Sequence, residues 1–159
     1  MRTTPPSTDL PNADPAWRIG IVYATYYKEE IAGLVDAATA TLREAGVLEA
    51  NVTLHPAPGS FEVPLIGRAL ADAKAVDALI GFGIIVQGET KHADLLATES
   101  ARGIMDVQMR FGLPFAFEIL HVHHLDQARE RSVGPGSKGR EAAYAVLHSL
   151  KELQRIRTM

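Results

Sequence analysis

The sequence predicts an α/β fold: a four-stranded parallel sheet between two layers of helices, a three-layer α/β/α sandwich. Two observations lead there. Short apolar, β-branched runs alternate with helical patterns four times along the chain, as repeated strand–helix–strand units with right-handed crossovers require. The runs are apolar on both faces, which suits a sheet covered on both sides. A length of 159 residues fits one domain. At that size folding buries roughly 70% of the surface the unfolded chain exposes.

The first sixteen residues, MRTTPPSTDLPNADPA, hold four prolines and no hydrophobic block. They read as a disordered or extended arm rather than a secretory signal. A single domain follows over residues 17–159. RIGIVYA, residues 18–24, is the first strand. Ile31, Leu34, Val35, Ala38 and Leu42 then recur at helical spacing, and Gly46 sits where a helix would end. NVTLHPA, residues 51–57, is the second strand. PGS turns the chain into a helix over residues 60–73, with Pro64 near its first turn. ALIGFGIIV, residues 78–86, has the length and continuous apolar character of a central parallel strand. A helix over residues 90–110 follows, with a bend expected at Gly103. PFAFEIL, residues 114–120, is the fourth strand. LDQARER forms a short helix, and VGPGSKG leads into a last one with Ala142, Val146, Leu147, Leu150 and Leu153 on one stripe.

Composition removes several classes of function. Apolar residues make up 47% and charged residues 22%, an ordinary globular balance. The formal net charge of −3 argues against non-specific nucleic-acid binding, which needs a basic face. With no cysteine there are no disulfides, no thiolate catalysis and no sulfur-built zinc site. That is compatible with a reducing cytosol, and a cytoplasmic location is expected. No apolar run reaches the roughly 18 residues of a membrane span.

Ligands of parallel α/β sheets bind beyond the carboxyl ends of the strands. The segments there are Tyr26 and Tyr27, PGSFE, QGETKH and EILHVHH. QGETKH joins a buried strand to a helix. A helix start at that point would leave the N–H groups of Gly88, Glu89 and Thr90 unpaired, a ready anion site; Thr90 is equally suited to a simple N-cap. His92 falls in the first helical turn, where the dipole favours a neutral ring able to accept a proton. A surface histidine in a polar turn is the plainer alternative. PGSFEVP sets Phe61 beside Glu62, which suits a planar ring with a polyhydroxyl tail. It also suits an ordinary turn with the carboxylate near a helix start. Tyr26 and Tyr27 form a stacking platform or cover the sheet edge. Arg131, Lys138 and Arg140 flank VGPGS as phosphate-closing cations or as a solvated face. His121, His123 and His124 crowd into four residues and cannot all face one ion, so no metal site is expected.

Together these loops resemble the lumazine synthase family. PGSFEVP is similar to that family's PGAFEIP, and GIIVQGETKHAD to its GxVIRGETxHxD. DQARER and SKGREAA are similar to EQAxxR and NKGxEAA. The likeness runs from Arg18 to Leu153 with the motifs in order. The resemblance implies a flavodoxin-like fold. It also implies a transferase that condenses 5-amino-6-ribitylaminouracil with 3,4-dihydroxy-2-butanone 4-phosphate. The product, 6,7-dimethyl-8-ribityllumazine, passes to riboflavin synthase, and no cofactor or metal is used. By the same resemblance Tyr26 stacks on the uracil. Ser60, Phe61 and Glu62 line the ribityl and ring site. Ile84, Ile85 and Val86 offer backbone groups, and Phe117 closes the pocket. Glu89 and Thr90 hold phosphate with Arg131 as the cation and Lys138 assisting. His92 matches the proton-transfer residue.

The family implies a homopentamer with pockets shared between neighbours, so that Phe117 and Arg131 serve the next subunit. It also implies, for short turns like VGPGSKG, stacking into sixty-subunit capsid-like shells. The N-terminal arm would add a strand to a neighbour's sheet. Four positions depart from the pattern. Tyr26-Tyr27 stands for a common Phe-Asn and Gln87 for a frequent arginine, removing a charge near the ring. Glu118 stands for glycine, a carboxylate expected after a strand, and His121 for threonine. A non-catalytic relative that binds lumazine or flavin, or mainly builds a shell, is the rival reading. A third is an unrelated flavodoxin-like monomer. Glu62, Thr90, His92 and Arg131 favour the enzyme.

Overall fold

The computed structural model describes residues 9–159. Four parallel strands, β1 (Ile19–Ala24), β2 (Val52–Ala57), β3 (Ala78–Val86) and β4 (Phe115–Val122), form one sheet in the order β2-β1-β3-β4. The helices are α1 (Lys28–Ala45), α2 (Val63–Asp72), α3 (His92–Phe111), α4 (Leu125–Ser132) and α5 (Lys138–Arg157). One sheet face packs on α1 and α5, through residues such as Ile21, Phe82, Leu34, Leu42 and Leu147. The other packs on α2 and α3, through Val22, Leu79, Phe115, Val63 and Ile104. This is the three-layer, flavodoxin-like arrangement expected.

Burial follows strand position. β3 lies between β1 and β4, and only its last residue, Val86, is not buried. Water on neither face explains its unbroken apolar run. β2 is an edge strand with Leu54 exposed. It carries Pro56, which lacks an N–H and is tolerated at an edge. α1 closes at Gly46 with φ 107°, a left-handed cap that glycine adopts freely.

Several expected boundaries move. The helix expected from residue 60 begins as a single 3₁₀ turn, Ser60–Glu62, and becomes α-helical at Val63. α3 starts at His92, two residues later than expected. α3 is one continuous helical segment through Gly103. A Cβ at Gly103 would stand 2.8 Å from that of Pro64, so this glycine lets α2 and α3 approach. β4 extends two residues further than expected, through Val122. Glu118, expected after a strand, lies inside it opposite Phe82, and the two added residues bring His121 within it too. In α5, Ala142, Val146, Leu147 and Leu150 are buried, while Leu153 is half-buried.

Residues 9–16 contain no helix or strand and lie along the chain's own domain. Ala13 N–H donates to Ala45 C=O at 2.9 Å, and His148 Nε2 donates to Asp9 C=O at 3.1 Å. Leu10 and Ala13 pack on the core shared by α1 and α5. The rest of the expected arm, with any strand it would add to a neighbour, lies outside the described residues.

Candidate active site

β1 and β3 are neighbours, and the segments that follow them diverge over the carboxyl end of the sheet. A cleft of about 500 Å³ opens there. The β1–α1 segment brings Tyr26 and Tyr27, and the β2–α2 turn brings Gly59, Ser60, Phe61 and Glu62. β3 contributes Ile84, Ile85 and Val86, and the β3–α3 loop and helix contribute Gly88, Thr90, His92, Ala93 and Leu96. A larger cleft of about 700 Å³ lies at the amino end of the sheet, around Trp17, the Arg18–Asp77 ion pair and Arg157. The carboxyl end is the ligand end of parallel sheets, so the smaller cleft is the candidate site.

Local sequence shapes the cleft. Ser60 is buried against β3. A Cβ at Gly83 would stand 2.3 Å from Ser60 Oγ, so glycine is what lets the 3₁₀ turn sit down on the strand. Ser100 Oγ donates to Ser60 C=O at 3.2 Å and ties the turn to α3. Phe61 and Tyr26 remain exposed at the cleft, ring faces with no partner stacked on them. Tyr27 caps α1 with φ 57° and ψ 58°. A non-glycine residue there stores strain, and such strain gathers at ligand sites. Asparagine, usual at this place in the family pattern, tolerates that conformation better. The tyrosine pair was legible in the sequence; its backbone strain was not.

The loop between β3 and α3 is partly as expected. No hydrogen bond engages the N–H of Gly88, Glu89 or Thr90 among the described residues. Thr90 Oγ1 accepts from His92 N–H at 3.4 Å, a long capping bond, so Thr90 serves the helix start as well as facing the cleft. His92 is exposed and its ring has no hydrogen-bond partner among the described residues. Glu89 is exposed on the loop and does not line the cleft. Nor does Gln87: its side chain turns back along the loop and reaches His121 on β4. The Gln87 amide itself is therefore spent outside the cleft.

Phe117, Arg131 and Lys138 stand apart from this cleft. Phe117 lies on the edge strand β4, 43% exposed, on the face it shares with Phe115 and Ile119. Arg131 Nη1 donates to Gln127 C=O at 2.7 Å, and no carboxylate pairs with it among the described residues. Lys138 forms an ion pair with Glu141 at 2.5 Å. Glu118 sits close to both. Its carboxyl is pushed up to about 7, chiefly by burial, with Lys138 opposing the rise and Glu141 adding to it. His121 binds Gln87, and the N–H groups of His123 and His124 donate to Gln127 Oε1 at the start of α4.

A parallel sheet with aromatic rings, a carboxylate, a hydroxyl and an imidazole gathered at its carboxyl rim defines an α/β enzyme acting on a small molecule. The family model for 6,7-dimethyl-8-ribityllumazine synthase matches residues 16–154. A 6,7-dimethyl-8-ribityllumazine synthase of Methylobacillus flagellatus is 36% identical over 136 residues, covering 86% of this chain and 91% of that protein. One of Protochlamydia amoebophila is 37% identical over 134 residues, covering 84% and 78%. The chain belongs to the 6,7-dimethyl-8-ribityllumazine synthase family, a family of transferases.

Proposed function

We propose that the protein condenses 5-amino-6-ribitylaminouracil with 3,4-dihydroxy-2-butanone 4-phosphate. The products are 6,7-dimethyl-8-ribityllumazine, inorganic phosphate and water, in the riboflavin pathway and in the cytoplasm. One observation carries the reading: a single cleft gathers Tyr26, Phe61, Glu62, Thr90 and His92 from three separate segments. The uracil ring stacks against Tyr26, and the ribityl chain runs past Ser60, Phe61 and Glu62. Backbone groups of Ile84, Ile85 and Val86 read the ring edge.

The amine attacks the ketone and water leaves to give an imine. Phosphate departs by elimination, the enol left behind becomes a ketone, and the ribitylamino nitrogen closes the ring on it with loss of a second water. Protons move at each step, and the unpartnered ring of His92 stands at the cleft to carry them. Free N–H groups at Gly88, Glu89 and Thr90 stabilise charge on the departing phosphate. Holding two reactants together supplies a further share of the rate.

Phe117, Arg131 and Lys138 complete the cleft of an adjacent subunit in a homopentamer. Their distance from the chain's own cleft supports that reading, as does a phenylalanine left exposed on an edge strand. The pentamer in turn is the unit of any larger shell. Mixing the two substrates with the pure protein tests the activity. The lumazine chromophore and one phosphate per turnover should appear together. Flavin or lumazine binding with no turnover would replace this reading by that of a binding protein.

A further inference from the structure

Gln87 and His121 are the two departures from the family pattern that touch each other. His121 Nε2 lies 2.6 Å from Gln87 Oε1. Gln87 Nε2 donates to Gly88 C=O at 3.2 Å and to Thr90 C=O at 3.3 Å. Two carbonyl acceptors on one side fix which end of the amide is nitrogen, leaving Oε1 to face the imidazole. The hydrogen between them must then sit on His121 Nε2. Gln87 N–H also donates to Val122 C=O at 2.7 Å, so the loop is fastened to β4 through backbone and side chain together.

The loop has little else to hold it. A Cβ at Gly88 would meet nothing within 4 Å, and residues 88–91 are all exposed. Fixing each loop residue costs backbone entropy, which a ligand must otherwise offset. The fork acts at the right atoms. In a trans peptide the C=O and the following N–H point to opposite sides. Drawing the carbonyls of Gly88 and Thr90 toward Gln87 therefore turns the N–H groups of Glu89 and Lys91 away from it.

We infer that Gln87 and His121 form a positioning pair that holds residues 88–91 in the shape that receives the phosphate of the substrate. The inference rests on the proposed condensation and deepens it. The pair is coupled by donor and acceptor count. Arginine at 87 would satisfy both carbonyls but set a donor against His121 Nε2, a clash that drives the ring out of the tautomer Gln87 selects. Threonine at 121 would relieve that clash, because a hydroxyl accepts.

The test uses the assembled full-length protein, with steady-state kinetics and inorganic phosphate as a separate ligand. Gln87→Glu, an acceptor set against two carbonyls, should weaken phosphate binding and raise KM for the phosphorylated ketone by about tenfold, a loss of one to two hydrogen bonds. KM for the ribitylaminouracil should change less than about twofold, since its contacts lie elsewhere. Gln87→Arg should show the same split, and adding His121→Thr should restore most of it. Nitrogen NMR of labelled histidine in the unmutated protein should show hydrogen on His121 Nε2 at neutral pH, with the signal altered in Gln87→Ala.

Equal KM changes for both substrates, no rescue by the paired substitution, or a bare Nε2 would each overturn the inference. An unmutated protein that makes no lumazine would sink the functional reading instead. The histidine signature and the inorganic phosphate titration would then still decide the role of the pair.

Discussion

The rim around β1 and β3 and the flank formed by β4, α4 and α5 both carry residues of the expected site, but in opposite condition. At the rim, side chains converge on one cleft. Along the flank, none of Phe117, Arg131 and Lys138 lines it. Both groups come from motifs of equal clarity in the sequence. Motif clarity therefore says nothing about whether residues meet within one chain. A cation with no carboxylate partner among the described residues and an aromatic exposed on an edge strand are what the proposed shared pocket requires of the flank.

Substitutions on the two sides should differ in kind. The largest effect belongs to the rim. His92→Ala should lower kcat by about 10²–10⁴-fold with little change in assembly, the usual scale of general acid–base help. Single-turnover formation of the lumazine chromophore measures it. Arg131→Ala, on the flank, should act on binding. Loss of one charge-assisted contact raises KM for the phosphorylated ketone by about ten- to a hundredfold. Varying one substrate at a time separates that from a general defect.

Glu118→Gln should change stability rather than activity. Its carboxyl is raised in the folded protein from 4.5 to about 7, so folding favours the neutral form. That contribution is fully present below pH 4.5 and is lost as pH rises toward about 7, where the half-buried charge is penalised. The glutamine variant should therefore match the unmutated protein at pH 4.5. At pH 8 it should be the more stable by about 1–2 kcal/mol, discounting for partial exposure. Urea midpoints at the two pH values measure the difference. The smallest effect is Tyr27→Asn. Relieving a left-handed tyrosine should add about 0.5–1 kcal/mol to stability, read from the same urea curves.

Much of this was legible in the sequence for definite reasons. β3 announced itself because a strand buried on both faces must be apolar throughout. The cleft residues could be named because parallel strands deliver their following loops to one rim, so strand ends sufficed to collect Tyr26, Phe61 and His92. What stayed hidden depended on side-chain direction. Gln87 read as a missing charge near the ring, yet its amide is spent on the loop carbonyls. Glu118 read as a carboxylate beyond a strand, yet it lies mid-strand opposite Phe82, where its half-buried position depends on the neighbours packed on it. Polar His121 hid two further strand residues on an edge. Gly103 also serves a contact that one dimension does not show, the close approach of Pro64 on α2.

Mixing two defective variants tests the shared pocket most directly. His92→Ala damages the rim and Arg131→Ala the flank. Subunits of the two, unfolded together and refolded as mixed oligomers, should form some pockets with both residues intact. At a one-to-one ratio about a quarter of the sites regain unmutated turnover if the flank serves a neighbour. A mixture that assembles yet shows only the average of the two parent activities would mean that rim and flank never meet across a subunit boundary.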